Sequence, residues 1–248
     1  QALMVWGMRV GVEFAELFKD RQLSNDCKAA EKKLVKAASK VYKKFLASCP
    51  APDAPGSKQV AALMAITGLI DAPKADKEFL SINGAQGFST FYGYYMLEAM
   101  AAAGNYQGAL DVIREHWGAM IDLGATSFWE DFDINWIPNA APIDELVPEG
   151  KKDIHGDCGA YCYVGFRHSL CHGWASGPTS WLSRHILGVE VLEPGCRQVR
   201  ITPHLGDLQW VKGTFPTPYG EIQIYHERQA NGNVISEVKA PKEVSVIK

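Results

Sequence analysis

The residue best placed to do chemistry is Glu130, in the segment Gly124-Ala-Thr-Ser-Phe-Trp-Glu130-Asp-Phe-Asp133. The segment follows a helical pattern that ends near Leu123, and Gly124 suits a helix C-cap. A carboxylate is thereby set between aromatic residues in the loop after a helix. Apolar neighbours disfavour the charged form of an acid, which suits a group that must accept a proton from water near neutral pH. The same residue also reads as a buried glutamate capping a helix or bridging to an arginine. Glycoside hydrolysis needs two carboxyl groups. Asp131, Asp133, Asp153 and Asp157 are the other acids in local reach, and the sequence singles out none of them.

A second segment runs Ser169-Leu-Cys-His172-Gly-Trp174-Ala-Ser-Gly-Pro-Thr-Ser-Trp181. His172 opens a helical pattern, where the imidazolium is disfavoured, so a neutral ring exchanging hydrogen bonds with hydroxyls is expected. A satisfied packing histidine is the competing reading. Cys171 beside His172 does not make a nucleophilic pair, because adjacent residues at a helix start project in different directions. A third cluster, Gly87-Phe-Ser-Thr-Phe-Tyr92, starts a helix that is aromatic at its N-terminal end and reads as core or as a pocket wall. Six cysteines stand at 27, 49, 158, 162, 171 and 196. Cys158 and Cys162 with His155, His168 and His172 lack the paired C-x-x-C knuckle of a zinc site. No metal and no cofactor is expected.

The elements that must position these residues change character along the chain. Apolar stripes at helical spacing run through 2–20, from Ser24 as N-cap to about Ala47, through 57–70 and 72–81, and then Thr90–Ala103 and Gln107–Leu123. Residues 124–168 form a long Pro/Gly/Asp-rich segment with many aromatics, and one more helix is expected over 172–188. After Gly188, short runs with period-two alternation predict an antiparallel β-domain, and Asn231-Gly232-Asn233 predicts a hairpin turn. The expected organisation is a helical domain of antiparallel hairpins over 1–188 and a small antiparallel β-sandwich over 189–248.

Bulk properties narrow the function classes. A net charge of -3 and a pI near 6.2 give no reason to expect nucleic acid as a partner. No stretch reaches the ~18 apolar residues of a membrane span. Seven Trp, nine Tyr and ten Phe supply the core, and some could pack against the C–H faces of sugar rings. The chain opens at Gln1 inside a helical pattern, as a piece of a longer protein would, so the lack of a signal peptide carries no information about location.

Taken in order, these segments resemble the catalytic module of the α-L-rhamnosidases, glycoside hydrolase family 78. The series is Gly87–Thr90, Tyr95-Met-Leu-Glu-Ala-Met-Ala-Ala-Ala-Gly104, Trp117 through Trp129-Glu130, Ser169-Leu-Cys-His172, Trp181-Leu to Leu187-Gly188, Arg200-Ile-Thr-Pro203 and Thr217-Pro-Tyr-Gly220. The resemblance covers roughly residues 85–225. It implies a mainly α fold, part of an (α/α)6 barrel followed by a small β-domain, and inverting hydrolysis of terminal α-L-rhamnosyl bonds. It implies Glu130 as general base, His172 as a residue that contacts the sugar and Trp129 as a wall of the pocket. The partner would be a rhamnosyl oligosaccharide or glycoside, and a periplasmic or secreted location suits the full-length protein.

Two departures accompany the match. The family's general acid lies in an upstream carboxylate-rich motif that this chain lacks, and about seven helical segments stand against twelve in a full barrel. The chain therefore reads as the second half of the barrel plus the β-domain, inactive alone and prone to self-association through an open edge. Also, Cys171 stands where a polar residue often precedes the histidine, and 41 residues separate Glu130 from His172. The rival readings are another six-hairpin glycosidase or lyase, and a carbohydrate-binding module that keeps the fold without the chemistry.

Overall fold

A computed structural model describes residues 1–47, 56–158, 165 and 167–247, with side chains 42–47 left aside. Cys49, the prolines at 50, 52 and 55, Tyr161, Cys162, Tyr163 and Phe166 lie outside the described residues, as do the side chains of Tyr42 and Phe45.

Helices α1 (Ala2–Leu17) and α2 (Arg21–Ala47) form a hairpin over a three-residue turn. Asp20 caps α2 by accepting the Leu23 N–H at 2.9 Å. Ser24, expected at that position, lies inside the helix and is buried. Arg9 fastens the hairpin, pairing through Nε with Glu31 at 2.7 Å and donating through Nη1 to the Thr67 carbonyl at 2.6 Å, just beyond α3 (Ser57–Ile66). The short α4 (Ala72–Ala75) is capped by Asp71 and runs on as a π-helical turn over Asp76–Leu80.

Helices α5 (Thr90–Ala102) and α6 (Tyr106–Asp122) form the centre of the helical part. Their caps are short polar side chains: Ser89 accepts from the Tyr92 N–H, and Asn105 from the Gly108 N–H. Gly93 lets the Trp117 ring approach α5, where a Cβ would meet the ring at 2.6 Å. Leu80, Met96, Leu97, Met100, Met120, Trp129, Phe132 and Trp181 fill the core around them.

The helix expected over 172–188 is three pieces: a 3-10 turn over Gly173–Ala175, α7 (Gly177–Trp181), and a π-helical turn over Leu182–Ile186. Gly177 is pressed onto Tyr94, where a Cβ would come within 2.6 Å of the tyrosine's own Cβ. Pro178 has no N–H to continue a helix from upstream, so the helix restarts there. Trp181 then reaches across to donate its indole N–H to the Leu97 carbonyl at 3.0 Å.

Six strands follow: β1 (Val189–Val191), β2 (Gln198–Ile201), β3 (Trp210–Thr217), β4 (Gly220–Arg228), β5 (Val234–Lys239) and β6 (Ser245–Ile247). They make two three-stranded sheets. β3-β4-β5 is an antiparallel meander, and β1-β2-β6 is antiparallel except for the β2/β6 pair, which is parallel. The expected hairpin turn closes β4 to β5, with Gly232 at φ 87 and Gln229 paired with Asn233. Val189, Val199 and Ile201 from one sheet pack with Ile222 and Ile224 from the other.

Candidate active site

The loop after α6 turns on Gly124, at φ 90, a conformation that favours glycine. Beyond it, residues 127–130 run alongside 168–172, and the two extended segments bind each other like short strands. Glu130 N–H donates to the Ser169 carbonyl at 2.8 Å, His172 N–H to the Phe128 carbonyl at 2.7 Å, and the Ser127 hydroxyl to the Leu170 carbonyl at 2.5 Å. The two sequence segments that carry Glu130 and His172, with 41 residues between those two positions, are thus one structural unit.

The Glu130 main chain is clamped from two further directions. Its carbonyl accepts the hydroxyl of buried Thr90 at 2.5 Å, from the first turn of α5, and the indole N–H of Trp174 at 2.6 Å. The side chain is 18% exposed. Oε2 accepts the Ser169 N–H at 3.1 Å and stands 3.9 Å from His172 Nδ1. Among the described residues no donor bonds Oε1, and no arginine pairs with the carboxylate. The gap to His172 is too long for a direct hydrogen bond. It is a spacing that one water or ligand hydroxyl can bridge.

The site's aromatic wall is not the one expected. Trp129 is 0% exposed and packs inward against Phe132 and His168, with ring centroids 5.9 and 6.3 Å away. It cannot touch a ligand from there. Neighbouring residues of an extended segment point to opposite sides, so Trp129 enters the core as Glu130 leaves it. The exposed ring beside Glu130 belongs to Trp174, 44% exposed and 4.1 Å from the His172 ring. Phe91, 41% exposed, meets Trp174 edge-on at 5.8 Å. The Gly87–Tyr92 cluster therefore contributes both to the clamp, through Thr90, and to the surface, through Phe91. Lys58 sits beneath it, buried, donating to the Gly84 carbonyl at 2.6 Å and lying 4.9 Å from the Phe88 ring. Burial lowers its pKa to about 8, with Glu115 and Asp76 opposing the shift.

The acids near Glu130 are engaged locally. Asp131 bonds the Phe132 N–H at 2.9 Å, and burial raises its pKa, opposed by that bond and by His168. Asp133 caps the turn at Asn135. Asp153 holds His155 at 2.7 Å, and the His155 and Asp157 main chains fold around it. His168 is buried between the Ile154 carbonyl, 2.8 Å from Nδ1, and the Asp131 N–H, which donates to Nε2 at 3.1 Å, as fits an Nδ1–H tautomer. Among the described residues no group of three metal-ligating side chains converges. No helix among them is long and apolar enough to cross a membrane.

Residues 188–247 match the family model of the bacterial alpha-L-rhamnosidase C-terminal domain. Over 98% of its length the chain is similar in fold to a glycoside hydrolase family 78 rhamnosidase of Bacillus sp. GL1, with 23% identity and TM-score 0.73. It is similarly like an α-L-rhamnosidase of Aspergillus terreus over 99% of the chain, at 18% identity and TM-score 0.72. A Streptomyces avermitilis α-L-rhamnosidase, solved with L-rhamnose, aligns over 99% of the chain at 17% identity and TM-score 0.68. The chain spans about a quarter of the length of these proteins, 25%, 27% and 22% respectively. No curated protein matches it in sequence.

Proposed function

With a C-terminal domain of the bacterial α-L-rhamnosidase type and a helical part that shares the fold of those enzymes as premise, we propose that this chain carries the general-base half of an inverting glycosidase for terminal α-L-rhamnosides. One observation carries the proposal. The Glu130 main chain is fixed by three partners, while its carboxylate is held at one oxygen by the Ser169 N–H and, among the described residues, meets no donor at the other. A base for water needs that arrangement: a fixed position and an accepting oxygen free to face the nucleophile. His172, across 3.9 Å, would share the water or a sugar hydroxyl. Trp174 and Phe91, rather than Trp129, would receive the apolar face of the deoxy sugar, whose methyl group an apolar wall favours.

The second carboxyl of such a site would come from outside residues 1–248. Inversion needs the two groups ~6.5–9.5 Å apart across the glycosidic bond, and the acids local to Glu130 are bound into loop turns. We accordingly divide the chain into a part-barrel over 1–188 and a β-domain over 189–248, with the site on the first. Apolar side chains on α1 and at its C-cap, among them Met4, Phe14, Leu17 and Phe18, are more than half exposed. In the isolated chain that face would favour self-association.

The test is turnover of aryl glycosides by a polypeptide extended to the length of its structural relatives. An α-L-rhamnoside should be the preferred substrate, and proton NMR should show the inverted anomer as first product. Preference for a different glycone would favour another six-hairpin glycosidase, and sugar binding without turnover would favour a binding module.

A further inference from the structure

The outer face of the β3-β4-β5 sheet is a candidate site with no part in the chemistry above. The register fixes what it presents. Trp210 pairs with Glu227 and that with Ile235; Lys212 with Tyr225 and Glu237; Thr214 with Gln223 and Lys239. Alternate residues point to one side of a sheet, so these nine side chains share one face in three rows, with the pair Pro216 and Glu221 beyond them at the turn end. The other face, with Phe215, Ile222, Ile224 and Val238, is spent on the core.

This outer face has an unusual mixture. Trp210 is 60% exposed at the end of β3. Tyr225 lies in the middle row between Lys212 and Glu237. Seven of the rows' residues line an open groove of about 810 Å³, within the range of small-molecule sites, ~300–1,000 Å³. The face carries two lysines, Lys212 and Lys239, and three glutamates, Glu221, Glu227 and Glu237, so its net charge is a weak −1, which repels a polyanion and is too small to hold a polycation. Among the described residues neither lysine is ion-paired, which leaves their ammonium donors available.

We propose that this face binds an uncharged oligosaccharide. Two aromatic rings in a field of balanced donors and acceptors match a neutral glycan, whose pyranose rings offer C–H faces for stacking and hydroxyls for hydrogen bonding at their rims. A protein partner would call for a more continuous apolar centre, which the nine residues do not provide. A lipid surface or nucleic acid would call for an excess of positive charge. The site lies on the β-domain and does not depend on the role of Glu130.

The experiment is a glycan array of neutral and acidic oligosaccharides, probed with the 248-residue chain and its Trp210→Ala, Tyr225→Ala and Trp174→Ala variants. The wild type should retain neutral oligosaccharides of three or more units. The two β-face variants should each lose roughly threefold to tenfold in affinity, the value of one ring stack, while Trp174→Ala, which removes the ring beside Glu130, leaves oligosaccharide retention in place. Trp210 is mostly exposed, and unchanged circular dichroism of its variant would show that the fold is intact. Retention of acidic glycans only, of none, or neutral binding that survives both β-face substitutions would overturn the proposal. Loss on Trp174→Ala alone would place the binding in the helical part and equally overturn it.

Discussion

Trp174 donates its indole N–H to the main-chain carbonyl of Glu130 at 2.6 Å, across 44 positions of sequence. The ring that lies beside the carboxylate is therefore also one of the ties that fix it. Trp174→Phe keeps most of the ring and removes the donor. Because Thr90 still satisfies the carbonyl, the fold should lose only ~0.5–1.5 kcal/mol, read by denaturant unfolding. Turnover in the extended enzyme should fall more than this, roughly tenfold or beyond, since small misplacements of a base are costly.

Thr90→Val tests the second tie to the same atom. Either single substitution leaves the Glu130 carbonyl one donor, whereas the double variant leaves it none. The combined loss should exceed the sum of the singles by ~1 kcal/mol or more, as expected for groups that share a partner. Additive losses in a double-mutant cycle would show that the two bonds do not act on one loop position.

Trp129 and Trp174 should separate stability from binding. Trp129→Ala opens a cavity in the core and should cost ~3–5 kcal/mol. Trp174→Ala removes a ring that is nearly half exposed; it should cost far less stability and abolish most of the affinity for L-rhamnose, measured by calorimetry or NMR titration.

That the sequence pointed to Trp129 rather than Trp174 as the ring beside Glu130 has a physical origin. Trp129 is adjacent to Glu130, but adjacency in an extended segment means opposite sides. The pairing of 127–130 with 168–172 that brings Trp174 forward is a long-range contact with no local signal. The same division holds through the fold. The stripes of α1 and α6, the helix start near Thr90, the cap at Gly124, the strands of the β-domain and the Asn231–Asn233 turn were all legible, because each rests on local periodicity or turn chemistry. The cap at Asp20, the break at Gly177-Pro178 forced by Tyr94, and the parallel β2/β6 pair were not, since each depends on which neighbour packs there. The open Glu130 carboxylate was legible as an acid after a helix; its four-way tethering was not.

His116 makes a pH prediction. It is fully buried on α6 between Trp117 and Phe132, neither ring nitrogen has a hydrogen-bond partner among the described residues, and burial lowers its pKa to about 3. In the unfolded chain the ring protonates below ~6.5. The unfolded state therefore binds the extra proton first, and stability should fall as pH drops from about 6.5 toward 3, by a few kcal/mol for this group. Urea unfolding at pH 7 and pH 4.5 should show the loss in the wild type and less of it in His116→Phe.

The isolated chain should associate through the exposed face of α1. Sedimentation velocity should show species larger than a monomer, and Phe14→Glu with Phe18→Glu should return it to a monomer with little change in stability. A monomer at all concentrations for the wild type would remove that face from the account.

The most direct measurement is the effect of Glu130→Gln on aryl α-L-rhamnoside hydrolysis by the extended enzyme, with L-rhamnose affinity measured alongside. With Glu130 as the base, kcat should fall ~10²–10⁴-fold while affinity for the sugar stays within a few-fold. Turnover preserved near the wild-type rate, or affinity lost in step with rate, would rule out that role for Glu130.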